Sequence, residues 1–397
     1  MRVARFSNPV SVSARALLGM LLAPSKPTRL SAHCPRVLLP LFSAVMLTLT
    51  TVGAYAQVGP PTPEYTRIVV FGDSLSDTGN VAHLAYDKYG LRIPGPVADY
   101  TNGSFTDGFD TLPAAEQYVG VWVEQLAKSV PSKPEVKNSL DGGTNYAYGF
   151  ATTGSGTTVL TFGPSDSLSV NVENIGQQIS DYLATHRKIT NKTLFIVWGG
   201  ANDLINATSA NDIINAGIDQ TLNIQRLIEA GATQLIVPNL PPLGLIPRLN
   251  GNPAASAAAT QASAYYNLVL NIGIQTLRGS YAGKHLQIVQ LDIFGLFNRI
   301  VATPSDFSLV NVTSSSQGVP FLDPDTYLFW DDLHPTTHGH NIVATNAAAM
   351  LGRRVRLIAP RIRQKIKNTY ARSDRLTVAT GAPFRHAPVI GAEFVLD

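Results

Sequence analysis

Short apolar runs alternate with longer stretches of helical periodicity through the middle of the chain. The apolar runs lack polar alternation, which is typical of strands that are covered on both faces. These runs are 67–71, 194–198, 235–237 and 286–291. The longer stretches have a helical pattern of apolar residues, and they are 172–187, 211–230, 254–277 and 337–351. The alternation predicts an α/β domain with a parallel sheet and helices on both of its faces.

Residues 90–170 are less regular and are rich in Gly, Ser, Thr and Asn. This composition predicts long loops, and we expect them to cover the carboxyl ends of the strands, where sites form in parallel sheets. Some apolar residues of the loops are candidates for lining an acyl channel, or for ordinary core packing. They are Phe105, Phe109, Leu112 and Phe162.

A Gly-Asp-Ser turn follows the first predicted strand. Segment 71–80 reads Phe-Gly-Asp-Ser-Leu-Ser-Asp-Thr-Gly-Asn, and Ser74 lies where the strand gives way to a helix. Backbone N–H groups at the start of a helix point toward a hydroxyl in that position. Ser74 is therefore a candidate nucleophile, although the same residues would also serve as an ordinary helix cap.

An Asp-x-x-His segment precedes the last predicted helix. A serine hydroxyl is a poor nucleophile until a base takes its proton, and histidine does this best near neutral pH. His334 is the candidate base. Asp331 can fold back onto its ring within one loop and fix the tautomer, and Asp332 is the alternative carboxylate.

Two further histidines raise the question of a metal site. His338 and His340 follow His334 closely, and three histidines can ligate zinc. Pro335 disfavours a helical face shared by residues 334 and 338. We therefore predict no metal ion and no cofactor, and expect His340 to be a structural hydrogen-bonding residue in the first turn of the last helix.

A polar segment follows the predicted strand 194–198. Segment 199–204 reads Gly-Gly-Ala-Asn-Asp-Leu. The side-chain N–H of Asn202, at the end of a strand, can donate to a developing oxyanion. The alternative is an Asx turn without a catalytic role.

Taken in chain order, these motifs resemble those of the GDSL, or SGNH, hydrolase family, over about residues 67–351. The resemblance implies a flavodoxin-like α/β/α sandwich with a parallel sheet. It implies a serine ester hydrolase with Ser74 as nucleophile, His334 as base and Asp331 as its orienting partner. It also implies an oxyanion hole formed by Asn202 and the backbone N–H of a glycine.

The glycine motif departs from the family pattern. Segment 145–152 reads Asn-Tyr-Ala-Tyr-Gly-Phe-Ala-Thr, whereas the branch that it resembles has two adjacent glycines. We assign the backbone donor to Gly149. Phe150 is the alternative, because every residue except proline carries a backbone N–H, but it must then adopt a conformation that glycine reaches more freely.

The resemblance favours lipid or phospholipid esters as substrates. Acetyl groups on a polysaccharide are the alternative, and a non-catalytic binding protein on the same scaffold is a further one. No Gly-x-Ser-x-Gly sequence occurs in the chain, which argues against the α/β-hydrolase fold.

The two ends of the chain differ from the middle. Residues 1–36 carry six basic residues and no acidic one, and an apolar run then leads to Ala54-Tyr55-Ala56. This pattern predicts a signal segment over 1–56, a linker over 57–66, and a secreted or periplasmic enzyme with its hydrolase domain over 67–351. Residues 352–397 carry ten basic and three acidic residues and predict a partly disordered extension.

The pI of about 8.9 comes from these two ends. Residues 57–351 are net acidic, so we expect no nucleic-acid partner. No apolar window of about 18 residues follows residue 57, so we expect no transmembrane span in the mature chain. The sequence leaves the oligomeric state open.

Overall fold

The structure is a computed structural model that describes residues 65–95, 100, 103–107, 118–163, 166–186, 188–319 and 322–351. The predicted signal segment, nearly all of the linker and the C-terminal extension lie outside these residues. The strands are β1 (Arg67–Gly72), β2 (Thr157–Phe162), β3 (Leu168–Glu173), β4 (Thr193–Trp198), β5 (Gln234–Pro238), β6 (Gln287–Leu291), β7 (Asn311–Ser315) and β8 (Tyr327–Phe329). The helices are α1 (Asn80–Tyr89), α2 (Trp122–Ser129), α3 (Ile175–Thr185), α4 (Ala201–Ile205), α5 (Ala210–Glu229), α6 (Pro247–Asn250), α7 (Pro253–Ser280), α8 (Ile293–Ala302) and α9 (Thr337–Leu351).

The central sheet consists of four parallel strands in the order β1-β4-β5-β6. Segment 144–148 extends this sheet beyond β1. The N–H of Tyr146 donates to the carbonyl oxygen of Val70 at 2.8 Å, and that of Tyr148 donates to Gly72 at 3.2 Å. In chain order, β1 is the first strand of this sheet and the segment is the second. Across the sheet the order is therefore second, first, third, fourth and fifth, as in flavodoxin-like folds. The predicted α/β/α sandwich with a parallel sheet is confirmed.

Alternate residues of each central strand enter different cores. Ile68 and Val70 pack into a core shared with α2, α8 and α9. Val69 and Phe71 pack into the core on the other face, which is shared with α3, α5 and α7. Both faces of the sheet are therefore covered, and this explains why the strands read as continuous apolar runs.

The prediction of long loops over 90–170 is wrong in part. Helix α2 and the antiparallel hairpin of β2 and β3 lie in this region. Most residues of the hairpin are half-buried or exposed, and only one residue of β2 and two of β3 are buried. Because few of its positions have to be apolar, the sequence of the hairpin lacks a clear strand pattern. It also shortens the predicted helix 172–187, because residues up to Glu173 pair in β3 and α3 begins at Ile175.

Helix α7, with 28 residues, is the longest helix among the described residues. Its first turn is capped by the side chain of Asn252, which accepts the backbone N–H groups of Ala254 and Ala255 at 3.0 and 3.1 Å. Among the described residues, neither α7 nor any other helix is long and apolar enough to cross a membrane.

His340 lies in the first turn of α9 and is buried. Within the part of the chain that the structure describes, neither of its ring nitrogens has a hydrogen-bond partner, so its expected role as a hydrogen-bonding residue is not seen. Burial, with a smaller contribution from the charge of His334, lowers the pKa of His340 to about 3. A charged imidazole is therefore incompatible with the folded core at this position.

We expect His340→Gln to make the protein's stability less sensitive to acid. An unfolded histidine takes up a proton near pH 6.5, whereas the folded chain keeps His340 neutral down to about pH 3. As the pH falls below ~6.5, the free energy of unfolding of the unaltered protein should therefore decrease more steeply than that of His340→Gln. The difference in slope is up to about 1.4 kcal/mol per pH unit. Urea unfolding between about pH 7.5 and pH 5 measures this difference, with His285→Asn on an exposed turn as control. Parallel pH dependences of wild type and His340→Gln would contradict it.

Candidate active site

Ser74 lies in a tight turn at the carboxyl end of β1. The carbonyl oxygen of Asp73 accepts the N–H groups of Ser76 and Asp77 at 3.0 Å each. The side chain of Asp73 accepts the N–H of Leu75 at 3.1 Å. The N–H of Ser74 has no acceptor among the described residues, so the turn leaves this donor available beside the Ser74 hydroxyl.

Asp73 itself is buried next to Ser74. Burial raises the pKa of its carboxyl to about 7, and the hydrogen bond from Leu75 only partly opposes this. Its Oδ2 has no hydrogen-bond partner among the described residues. The carboxyl beside the serine therefore carries less negative charge near neutral pH than an exposed aspartate would.

His334 lies in a narrow loop between β8 and α9. The loop is closed by the N–H of Trp330, which donates to the carbonyl oxygen of His334 at 2.8 Å, and by a bridge between Phe329 and Pro335. Thr106 secures the loop from outside, because its hydroxyl donates to the carbonyl oxygen of Pro335 at 3.0 Å. These contacts fix the loop so that the imidazole of His334 faces the carboxyl end of β1.

A continuous chain of hydrogen bonds joins Ser74, His334 and Asp331. His334 Nε2 lies 2.9 Å from Ser74 Oγ, and His334 Nδ1 lies 2.7 Å from Asp331 Oδ2. All three residues are buried, with exposed fractions of 6 to 8%. Because an ionised carboxylate only accepts hydrogen bonds, Nδ1 carries the proton and Nε2 is free to accept one from the serine. The structure thus brings together the three residues predicted as nucleophile, base and orienting acid.

The carboxylate of Asp331 is fully hydrogen-bonded. Its Oδ1 accepts the backbone N–H groups of Leu333 and His334 at 2.7 and 2.5 Å. Its Oδ2 accepts the His334 ring and the hydroxyl of Tyr100. Burial alone would raise the pKa of Asp331, but the charge of His334 and the hydrogen bonds from His334 and Tyr100 hold it well below its usual range. Asp331 is therefore ionised throughout the neutral range.

Asp332, the alternative carboxylate, points away from His334. Its side chain is 54% exposed and forms a bidentate ion pair with Arg248, at 2.9 Å to Nε and 2.8 Å to Nη2. The backbone N–H of Arg248 also donates to the Asp332 carbonyl oxygen at 2.9 Å. Asp332 thus holds the loop to α6 and does not contact the imidazole.

The backbone donor expected from Gly149 is already engaged. Its N–H donates to Asp77 Oδ2 at 2.9 Å, so the assignment of a free oxyanion donor to Gly149 is wrong in this structure. Phe150 has a φ of 67°, and among the described residues its N–H has no acceptor. The left-handed conformation of Phe150 turns the following peptide group, and the ring is held by Phe105 in an edge-to-face contact at 6.0 Å.

Asn202 lies in the first turn of α4, at the carboxyl end of β4. One N–H of its side-chain amide donates to the carbonyl oxygen of Ala151 at 2.9 Å, and an amide has a second N–H. The turn before it requires Gly200, whose φ is 112° and where a Cβ would lie 2.6 Å from the ring of Tyr266. Asn202 and Ser74 line the same pocket.

A narrow pocket with a cavity volume of about 30 Å³ lies beside Ser74. Apart from four polar residues at its catalytic end, its lining is apolar. Phe162, which we considered as a channel residue, packs instead on Tyr89 in the hairpin region, with ring centroids 5.7 Å apart. Phe105 lies against His334, with ring centroids 5.2 Å apart, and positions 109 and 112 lie outside the described residues.

The other two histidines do not converge with His334. His338 Nδ1 lies 2.5 Å from the carbonyl oxygen of Asp325, and the ring of His338 stacks on Tyr118. Within the described ranges, no group of three His, Cys, Asp or Glu side chains is placed to hold a metal ion.

Sequence reasoning missed several residues that support the site. Tyr100 lies in a region without periodicity, so nothing in the sequence pointed to it. Asp77 and Asn80 were part of the quoted serine motif, and they now prove to hold segment 144–149. The side-chain amide of Asn80 donates to the carbonyl oxygens of Asn145 and Ala147, at 2.9 Å each. Polar residues that follow a nucleophile motif can thus indicate that a second loop is hydrogen-bonded to the motif.

Comparisons with known proteins identify the family of the chain. A family model described as GDSL-like Lipase/Acylhydrolase matches residues 68–347. An uncharacterized protein of Pseudomonas putida is 27% identical over 332 residues, which is 78% of this chain and 52% of that protein. The chain therefore spans about half the length of that relative.

Two named relatives match over more of their own length. The phosphatidylcholine-sterol acyltransferase of Aeromonas hydrophila is 24% identical over 350 residues, or 76% of this chain and 95% of that protein. A GDSL esterase/lipase of Arabidopsis thaliana is 26% identical over 319 residues, or 69% of this chain and 84% of that protein. The chain belongs to the GDSL-like lipase/acylhydrolase family, and is a serine ester hydrolase of that family.

Proposed function

We propose that Ser74, His334 and Asp331 carry out ester hydrolysis through an acyl-serine intermediate. The observation that carries this proposal is the hydrogen-bond chain from Ser74 Oγ to His334 at 2.9 Å and from His334 to Asp331 at 2.7 Å. This arrangement supplies a nucleophile, a base and a fixed tautomer, which together are the requirements of acyl transfer. A complete triad also argues against a non-catalytic binding protein.

In the first half-reaction, His334 Nε2 takes the proton of Ser74 as Oγ attacks the ester carbonyl carbon. The imidazolium that forms is stabilised by the Asp331 carboxylate, which stays ionised. The tetrahedral intermediate collapses when the bond to the leaving oxygen breaks, and His334 gives its proton to that oxygen. The alcohol departs, and the acyl group remains on Ser74.

In the second half-reaction, His334 takes a proton from water, and the resulting hydroxyl attacks the acyl-serine. Collapse of the second tetrahedral intermediate returns the proton to Ser74 Oγ and releases the carboxylic acid. This chemistry requires no cofactor.

The oxyanion of both intermediates needs hydrogen-bond donors close to Ser74. We assign this role to the second side-chain N–H of Asn202 and to the backbone N–H groups of Ser74 and Phe150. These two backbone groups have no other acceptor among the described residues. Fixed donors of this kind act without reorganisation when charge develops.

Lipid or phospholipid esters are the favoured substrates, and acetyl groups on a polysaccharide are the alternative. The predominantly apolar pocket beside Ser74 supports the lipid class. A relative of similar length is named a phosphatidylcholine-sterol acyltransferase, which is consistent with lipid esters.

Export of the enzyme is part of this proposal. It is supported by the basic segment 1–36 and by the apolar run that ends at Ala54-Tyr55-Ala56. A secreted or periplasmic enzyme would meet lipid or polysaccharide esters outside the cytoplasm.

Replacement of Asp331 should be far more damaging than replacement of its neighbour. We expect Asp331→Asn to lower kcat by roughly 10⁴-fold, because an amide does not enforce the required tautomer. Asp332→Asn should change kcat by less than about threefold, because an exposed ion pair contributes little. Ser74→Ala should lose the activity. Initial rates on p-nitrophenyl butyrate, with circular dichroism to verify folding, measure these effects. Equal losses in the two aspartate variants would overturn the assignment.

Asn202→Ala should affect kcat and leave KM nearly unchanged. Loss of one oxyanion donor lowers kcat by roughly 10²- to 10³-fold. The matched control is Asn206→Ala in the same segment, whose side-chain amide donates to the Asn202 carbonyl oxygen at 2.9 Å and is exposed. Steady-state kinetics of both variants test this role. A change in KM alone would show that Asn202 binds substrate rather than the oxyanion.

Tyr100 is expected to be a positioning residue that acts through Asp331. Tyr100→Phe removes one hydrogen bond to the carboxylate and should lower kcat by about tenfold, with KM unchanged. Tyr281→Phe is the control, because its hydroxyl donates to Glu229 on the surface at 2.8 Å. The separate values of kcat and KM decide the matter. An unchanged kcat would mean that the Tyr100 hydroxyl has only a structural role.

A further inference from the structure

Residues 103–107, which read Gly-Ser-Phe-Thr-Asp, form a short buried stretch beside the catalytic site. We call this stretch the bridging segment. It forms neither a helix nor a strand, yet all five of its residues are buried. Backbone without regular structure is normally found at the surface, because its polar groups need partners. A buried irregular segment therefore has to be held in place by specific contacts.

One end of the bridging segment packs on α1, and the other end is hydrogen-bonded to α9. Gly103 has a φ of 74°, and a Cβ at this position would lie 2.4 Å from the Cβ of Ala82 in α1. The carboxylate of Asp107 accepts the backbone N–H of Thr337 and, at 2.9 Å, its hydroxyl. Thr337 is the first residue of α9, three positions after His334. The segment thus connects the helix that follows the nucleophile with the loop that carries the base.

The ring of Phe105, in the middle of the bridging segment, contacts both sides of the site. Its centroid is 5.2 Å from that of the His334 imidazole, at an interplanar angle of 38°. The same ring meets Phe150 edge to face, with centroids 6.0 Å apart. It also packs closely on the backbone of Gly149, since a Cβ there would lie 2.4 Å from two atoms of the ring. One side chain therefore contacts the base and the loop that carries a proposed oxyanion donor.

The orientation of the Phe150 N–H depends on packing of this kind. Phe150 has a φ of 67°, which lies in the left-handed region that glycine reaches freely and other residues do not. Such a conformation persists where the surrounding structure determines it. The Phe150 ring is 42% exposed, and Phe105 supplies a buried surface against which it rests. Displacement of the Phe105 ring would therefore move the oxyanion donor as well as the base.

We propose that Phe105 is a positioning residue of the hydrolytic reaction, whose single ring aligns His334 and the Phe150 N–H with each other. The proposal rests on the proposed function of Ser74 and on the assignment of the Phe150 N–H as an oxyanion donor. Phe105 acts through these groups and not through the substrate. Its replacement should therefore lower kcat and kcat/KM together, which is the result expected when an interaction specific to the transition state is weakened.

The test is a measurement of kcat and KM for Phe105→Leu and Phe105→Ala on p-nitrophenyl butyrate. Leucine keeps much of the volume but not the flat ring, and we expect kcat to fall by roughly tenfold. Alanine removes the support of both groups and should lower kcat by roughly 10²-fold, as for a displacement of about 1 Å. KM should change by less than about twofold. The leucine variant carries the test if the alanine variant does not fold.

A count of intact sites separates this role from ordinary core packing. Attack of Ser74 Oγ on the phosphorus of diethyl p-nitrophenyl phosphate displaces one p-nitrophenolate for each reactive serine, so the amount released gives the number of sites. A partly unfolded sample has fewer sites, whereas mispositioning lowers kcat for each titrated site.

Phe162→Leu is the matched control, because Phe162 makes a similar edge-to-face contact with Tyr89 at 5.7 Å, on the hairpin of β2 and β3. It should leave kcat for each titrated site unchanged. The proposal is overturned if both Phe105 variants fold and keep this value within threefold of the wild type, or if their loss lies in KM alone.

The same assays separate this inference from the proposed function. Ser74→Ala that retains activity would remove the proposed function, and the role of Phe105 with it. An inactive Ser74→Ala variant together with unchanged kcat values of the Phe105 variants would remove only the role of Phe105.

Discussion

The carboxylate of Asp77 accepts four backbone N–H groups, and the geometry of the site depends on these bonds. Three come from the start of α1, from Gly79, Asn80 and Val81, and the fourth comes from Gly149. A buried carboxylate has to keep such donors, because their loss would leave a charge uncompensated. The turn that presents the serine and the loop that presents the Phe150 N–H are therefore held in one register.

The acid at the other end of the site follows the same physical rule. Asp331 is removed from water, and four donors replace the lost solvation. Two of them are backbone groups of its own loop, so the loop cannot adopt this shape without also fixing the carboxylate against His334. The same hydrogen bonds thus fix the shape of the loop and the charge beside His334. Tyr100 adds a donor from a distant part of the chain.

The sequence predicted the central strands, most of the long helices and the three residues of the hydrogen-bond chain, because these depend on local periodicity and short motifs. It predicted Asp331 as the partner of His334 but kept Asp332 as an alternative, because the ion pair of Asp332 is with a residue 84 positions away. It misplaced the backbone donor at Gly149, because the orientation of that peptide is set by Asp77. The contribution of Phe297 and Phe329 to the lining of the pocket also escaped prediction, because only the packing of separate elements brings these residues near Ser74.

Ser74 and His334 are 260 positions apart in the chain, and the loop that carries His334 is followed by a single helix within the described residues. A ribosome therefore completes nearly the whole domain before a base can reach the serine. Any partly synthesised or truncated chain that ends before this loop has a hydroxyl without a catalyst. On the proposed mechanism, such a chain is inactive until the loop that carries His334 has been made.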